Sequence, residues 1–396
     1  LLFAEKGRFC YNNGMIDLQD YGITMWEEDK IVAFRKALLD WYDANKRDLP
    51  WRRTSNPYHI WISEIMLQQT QVVTVLPYYK RFLDWFPTVE DLAQADEERL
   101  LKAWEGLGYY SRVRNMQAAA QQIMTDFGGE FPQTYADIAS LKGIGPYTAG
   151  AISSIAFGLP EPAVDGNVMR VMARLFEVDY DIGDPKNRKI FQAMMEILID
   201  PDRPGDFNQA LMDLGTDIEG PKNPRPEESP IKAFSASYQH GTMDKYPIKE
   251  PKKKPRPMQI QAFVIRNQDG AYLLEKNKQG RLLAGFWSFP IMETQLLEQQ
   301  ISLFEDKTLV MERLSQTDSF GDKYQMNPVW STHTFSAVNH VFSHQKWQIE
   351  LIEGTVDTAD LPKTGQLEWV DLEDFENYPF ATPQKKMVEA YLSGDR

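Results

Sequence analysis

The stretch IWISEIMLQQTQV, residues 60–72, sets one carboxylate, Glu64, among Trp61, Ile62, Ile65, Met66 and Leu67, then runs into Gln68, Gln69 and Gln71. Ionising a carboxyl in such a segment carries a large desolvation cost, so Glu64 is neutral, paired or catalytic. A helical glutamate often pairs with an arginine, and the sequence does not place that arginine. Held neutral, Glu64 is a proton donor. The glutamine run by itself reads as an uncharged helix surface.

Helical spacing extends from Ile31 to about Leu214. Ile31, Phe34, Leu38, Trp41 and Tyr42 recur on one face against Arg35, Lys36 and Asp40, and turn signals at Phe127-Gly128-Gly129 and Gly205 separate the segments. A helical bundle is expected. The stretch GTMDKYPIKEPKKKPRP, residues 241–257, is rich in proline and lysine and reads as a linker. Beyond it the period changes. QIQAFVI (259–265), a turn at 267–270 and AYLLE (271–275) predict a β-hairpin, followed by strands at His333–Phe342 and Trp347–Ile352 and a helix from about Thr382 to Leu392.

A chain of 396 residues is long enough for two or three domains, and none of its apolar runs approaches a membrane span of roughly 20 residues. The opening LLFAEKGRFCYNNG lacks a basic region leading into an apolar core, so no signal peptide is expected, and Met15 or Met25 is a candidate start. The single cysteine, Cys10, excludes an internal disulfide framework and fits a reducing cytoplasm. A formal charge of -14 argues at face value against binding nucleic acid. Local clustering decides the field, however. Basic residues group at Lys46-Arg47 with Arg52-Arg53, at Arg112 with Arg114, and at Lys252–Arg256.

Two further segments bear on chemistry. LKGIGPYTAG, residues 141–150, is either a plain glycine turn or a hairpin whose following helix aims free N–H groups at a phosphate. VDGNVMR, residues 164–170, puts Asp165 before a helix, where an acid most often caps backbone N–H groups. The same carboxylate can also face a positively charged sugar. A capped, solvated Asp165 is expected to keep a low pKa beside a more apolar Glu64, and two carboxyls so separated suit glycosidic cleavage.

In this order the three segments resemble the adenine DNA glycosylases of the MutY family, helix-hairpin-helix enzymes that remove adenine mispaired with 8-oxoguanine. The likeness runs from about Ile31 nearly to the C-terminus. It implies an α+β chain with an N-terminal extension (1–25) and an all-α helix-hairpin-helix glycosylase domain (26–240, including a loop at 217–240). After the linker (241–257) comes an α/β Nudix-like, or MutT-like, domain for 8-oxoguanine recognition (258–396). By resemblance Glu64 protonates adenine at N7, while Asp165 and Asn167 lie at the sugar. Tyr147 stands where bifunctional relatives carry a Schiff-base lysine, so the chain is expected to be monofunctional. Arg47, Trp51 and Arg52 would line the adenine pocket. Gln69 would enter the duplex with Leu67 nearby, Tyr109 would meet the 8-oxoguanine, and Lys142, Gly143 and Gly145 would hold phosphate. The implied partner is duplex DNA containing 8-oxoguanine opposite adenine, bound by a cytoplasmic, nucleoid-associated bacterial monomer.

The C-terminal likeness rests on LLAGFWSFP (282–290) and on Phe342-Ser343-His344, with Ser343 as the matched guanine reader. The magnesium-binding R-E-x-x-E-E core of Nudix hydrolases is absent from IMETQLLEQQISLFE (291–305), so binding without hydrolysis is expected. The main departure lies at 219–235. Most relatives place four cluster-ligating cysteines there; this chain has Glu219, Pro226, Ser229 and Ser235, so no iron–sulfur cluster and no metal are expected. A thymine or broader pyrimidine glycosylase on the same scaffold, a Nudix-type pyrophosphatase and an inactive DNA-binding scaffold remain the alternatives. Retention of Glu64 with Asp165 counts against the last.

Overall fold

The computed structural model describes all residues except 1–7, 12–13, 252–253, 279, 281, 295–316, 334, 336, 358–359, 362–365 and 395–396. Two compact units partition the chain, one of residues 1–94 with 114–252, the other of residues 95–113 with 253–396.

The first unit is helical. Its helices include α1 (Glu28–Asn45), α2 (Pro57–Leu67), α3 (Val72–Trp85), α4 (Pro146–Phe157), α5 (Gly166–Phe176) and α6 (Pro204–Asp217). Asn56 starts α2 by accepting the Tyr58 N–H at 2.9 Å, and Pro57 takes the first turn, where a missing N–H is harmless. The helix ends at Gln68, and Gln69 takes a left-handed φ of 59°. Helix α2 lies against α4, and α6 lies against α1, α4 and α5. Gly150 permits the close approach of α4 to the following chain, since a Cβ there would sit 2.0 Å from the Pro162 carbonyl oxygen.

Two sequence expectations shift here. The segment assigned to an extension outside the fold pairs Arg8–Tyr11 with Gly14–Asp17, and Ile16, Leu18 and Ile23 are buried in the helical core. Trp26 follows them, stacked on Phe176 at 4.5 Å. The expected linker at 241–257 is not a free tether. The Thr242 hydroxyl bonds Glu177, Tyr246 reaches Asp179 at 3.0 Å, and the Ile182 N–H donates to the Ile248 carbonyl at 3.0 Å.

The second unit is a mixed sheet. Strand β1 (Arg256–Arg266) runs parallel to β4 (Gln345–Thr355), flanked by antiparallel β2 (Tyr272–Lys276) and β3 (Val338–Val341). The predicted hairpin is present, closed by Asn267, whose side chain accepts the Asp269 and Ala271 N–H groups. Alternation then fills both faces. Met258, Ile260, Ala262 and Val264 join one cluster with Met387 of the terminal helix α7 (Thr382–Ser393), while Phe263 and Ile265 join Phe320 and Tyr324 in another. Among the described residues of the expected strand at His333–Phe342, Val338–Val341 forms the strand. Most of the stretch 291–305, which lacks the clustered glutamates, lies outside the described residues.

The segment Ala95–Val113, expected within the helical domain, belongs to this second unit. Its buried Glu105 accepts the Phe380 N–H at 3.2 Å and pairs with Lys102 and Lys385 at 2.9 and 3.0 Å, and Tyr110 packs on Phe286 with ring centroids 4.2 Å apart.

Gly150→Ala tests the close packing of α4. In an open helix that change stabilises by about 1 kcal/mol, whereas here it should destabilise by about 2 kcal/mol or more through overpacking, read as a lowered denaturant midpoint with unchanged slope.

Candidate active site

Glu64 lies in the middle of α2, buried between apolar neighbours. Its hydrogen-bond partner is not an arginine but the hydroxyl of Tyr147, 2.6 Å from Oε2. Burial pushes the Glu64 carboxyl up to about 7; the Tyr147 bond pulls it down, the Asp165 charge pushes it up further, and Arg52 pulls it down. The carboxyl therefore holds its proton close to neutrality. Burial and the two nearby carboxyls hold the Tyr147 phenol well above the usual tyrosine range, so it stays a neutral donor.

Asp165 caps α5, accepting the Asn167 and Val168 N–H groups at 2.8 Å each, while the Asn167 side-chain amide donates to its other oxygen at 2.8 Å. The expected capping role is present. The expected low pKa does not hold. Asp165 is half-buried, and burial raises its carboxyl above the ordinary aspartate range despite the opposing hydrogen bonds and the Arg170 charge. Of the two carboxyls Glu64 is the less exposed and accepts fewer hydrogen bonds.

Behind Asn167 a buried relay continues. Arg170 donates to the Asn167 side-chain oxygen at 2.7 Å, to the Gly215 carbonyl at 2.6 Å and to the Glu219 carbonyl at 2.8 Å. Arg174 donates to that same carbonyl at 2.9 Å and pairs with the Glu219 carboxylate at 3.3 Å; the Ser229 hydroxyl donates to Glu219 Oε1 at 3.1 Å. Ser235 bonds the Arg174 carbonyl at 3.3 Å. Three of the four positions where most relatives have cysteines are thus engaged with one another or with Arg174, and Pro226 offers no side-chain donor. These residues do not fit an iron–sulfur cluster, whose ligands are thiolates.

Two of the residues expected at the adenine pocket, Arg47 and Arg52, meet at an acid the sequence did not single out. Asp213 on α6 is buried, bonds Arg47, and takes a bidentate pair from Arg52 at 2.7 and 3.0 Å. Arg52 also stacks over the Tyr42 ring at 5.6 Å. Trp51 is buried edge-on to Tyr79 at 5.2 Å. Asp213 carries the signal that singled out Glu64, an acid flanked by Leu211, Met212 and Leu214. Arg170 gave no such signal.

The exposed candidates sit on turns. Gln69 is exposed and Leu67 half-buried at the end of α2. In the hairpin Gly143 takes a φ of 77°, and a Cβ there would meet Asn115 at 2.5 Å; Lys142 is exposed, and its N–H is held by Gln122 at 2.6 Å. Gly145 caps α4 with open space where a Cβ would be, leaving the helix N-terminus accessible. In the second unit Tyr109 has a φ of 48° with its ring exposed. Non-glycine residues in this region carry strain, and such positions cluster at functional sites. Ser343 and His344 are exposed at the β3–β4 turn, whereas Phe342 folds back on Trp347 at 4.8 Å.

Residues 62–198 match the HhH-GPD superfamily of base excision DNA repair proteins, and residues 261–390 match the NUDIX domain. The chain is 33% identical to the adenine DNA glycosylase of Homo sapiens, over 91% of this chain and 74% of that protein. It is 30% identical to that of Buchnera aphidicola subsp. Schizaphis graminum, over 91% of this chain and 99% of that protein. A solved thermostable thymine-DNA glycosylase is similar at a TM-score of 0.50 and 30% identity, over 54% of this chain and 98% of that one. A helical unit that matches the one family model and a sheet that matches the other agree with these relatives: the chain belongs to the adenine DNA glycosylase family.

Proposed function

We propose that this enzyme, an adenine-specific DNA glycosylase of base excision repair, removes adenine paired with 8-oxoguanine in duplex DNA and does so without a lyase step. The observation that carries the mechanism is the buried Glu64 carboxyl, with a pKa of about 7, 2.6 Å from the Tyr147 hydroxyl. Glu64 gives its proton to N7 of a flipped adenine. The C1′–N9 bond then breaks with its electron pair going to the base, and the Asp165 carboxylate stabilises the oxocarbenium-like sugar. Water adds to C1′ and returns a proton to Glu64, leaving free adenine and an abasic site. The Arg47–Arg52–Asp213 cluster shapes the base pocket. Gln69 fills the vacated stack, and Lys142 with the open Gly145 end of α4 holds phosphate. A phenol at position 147 forms no Schiff base, which supports a monofunctional reaction.

A thymine glycosylase on this scaffold is the second reading, supported by the thymine-DNA glycosylase likeness of the helical part. Adenine is favoured because the curated relatives extend through the C-terminal unit as well.

Glu64→Gln keeps the side chain's shape and loses the proton, so it should bind the mispaired duplex yet release adenine at least about a hundredfold more slowly under single turnover. Wild-type rates should fall as pH rises through about 7. Stability gives an independent arm. Folded Glu64 keeps its proton up to about 7 and the unfolded residue loses it near 4.3, so native stability drops by roughly 4 kcal/mol as pH rises through that window. Glu64→Gln has no such loss and should melt higher than wild type at alkaline pH but not at acidic pH.

Ser343 is the clean probe of 8-oxoguanine recognition, because it is exposed at its turn while Phe342 also supports Trp347. Ser343→Ala should narrow the rate preference for 8-oxoguanine over guanine opposite adenine without lowering stability. An unchanged preference would place recognition elsewhere.

The loop at 217–240 is proposed to work without iron. Active protein should show no visible iron–sulfur absorbance and should withstand an iron chelator. Glu219→Ala leaves Arg174 buried without its carboxylate and should cost about 3–5 kcal/mol in chemical denaturation.

A further inference from the structure

The Tyr147 hydroxyl has two acceptors and one proton. Glu64 Oε2 lies 2.6 Å from it on one side, and the Met212 Sδ of α6 lies 3.5 Å away on the other, within reach of a hydrogen bond to sulfur. Tyr147 of α4 meets α2 at Glu64 and α6 at Met212, and Met212 is half-buried between Leu211, which joins the core, and Asp213, which pairs with Arg47 and Arg52.

Ionised Glu64 takes the phenol proton as the stronger acceptor. Once Glu64 carries its own proton, one of its oxygens becomes a donor in a buried place where an unpaired polar hydrogen is costly. The phenol oxygen can accept from Oε2 only if its own O–H turns elsewhere. The sulfur stands where that turned O–H points.

We propose that Met212 is a positioning residue for the adenine-releasing step: its thioether receives the Tyr147 hydroxyl whenever Glu64 is protonated, and so stabilises the proton-bearing state of the acid. The inference rests on Glu64 being the proton donor. No bond other than hydrogen bonds changes in the exchange. The hydroxyl rotates, Glu64 Oε2–H donates to the phenol oxygen, and the phenol O–H donates to sulfur; the reverse follows when the proton leaves for the base. The other ionisable groups facing this point are Arg52, Asp165 and Tyr147 itself, and none of them changes in the proposed variant.

Met212→Leu preserves volume and removes the acceptor. Single-turnover adenine release from a duplex carrying 8-oxoguanine opposite adenine, measured across roughly pH 5 to 9, should show the falling limb moved to lower pH by about half a unit. Sulfur is a weak acceptor, which sets that size. Tyr147→Phe removes the rotating hydroxyl, so adding Met212→Leu to it should leave the limb unmoved. A Met212→Leu limb identical to wild type, or a rate lowered by one factor at every pH, would overturn the proposal and leave Met212 as packing. Glu64→Gln in the same assay separates the two levels: wild-type rates there would sink the assignment of the proton donor itself.

Discussion

Everything in the helical unit answers to one constraint, a carboxyl kept inside an apolar helix without a cation in contact. Pairing Glu64 directly with an arginine would have settled its burial cost by ionising it, and an ionised donor has no proton to give. The chain instead gives Glu64 a neutral phenol. The nearby guanidinium of Arg52 is turned to Asp213, which binds it through both oxygens. Asp213 thus holds the Arg52 cation by a bidentate pair while Arg52 still pulls on Glu64 from a distance.

The second carboxyl is held in place by hydrogen bonds, although burial outweighs them and raises its pKa. Asp165 receives two backbone N–H groups and one amide, and the amide is itself held by Arg170. Arg170 and Arg174 are buried cations on one helix, and what holds them is the turn around Glu219, through its carbonyl and carboxylate. The loop that lacks cysteines is therefore tied to α5 by ion pairing and serine hydroxyls, and from the aromatic side by Phe234, which meets Trp26 and Phe34 at 5.7 and 5.6 Å. Buried ion pairs of this kind add little over a well-packed apolar alternative, but losing one partner is expensive. Loop and Asp165 share that dependence.

What the sequence made legible follows from the range of the interactions. Burial of Glu64, the Asp165 cap and the Asn267 turn are local, written in neighbours within four residues, and all three stand in the structure. Asp213 was readable by the same rule, an acid among apolar neighbours, and was passed over. Arg170 was not readable, because its partners at Gly215 and Glu219 lie 45 and 49 residues away. The same holds for Ala95–Val113, whose helical period says nothing of the Phe380 N–H that satisfies Glu105. The low pKa expected of Asp165 fails because a cap does not imply solvation: hydrogen bonds satisfy this carboxylate in a half-buried place.

Position 147 also decides between two chemistries. In the bifunctional relatives a lysine in this segment attacks the sugar, and an ammonium placed where the Tyr147 hydroxyl lies would sit within about 3 Å of Glu64. At that distance the pair would be held as an ion pair, drawing the Glu64 pKa down and removing the general acid at neutral pH. A neutral glutamic acid and a cationic lysine therefore exclude each other at this spacing. A phenol at position 147 forms no such ion pair, so burial is left to raise the Glu64 carboxyl to about 7.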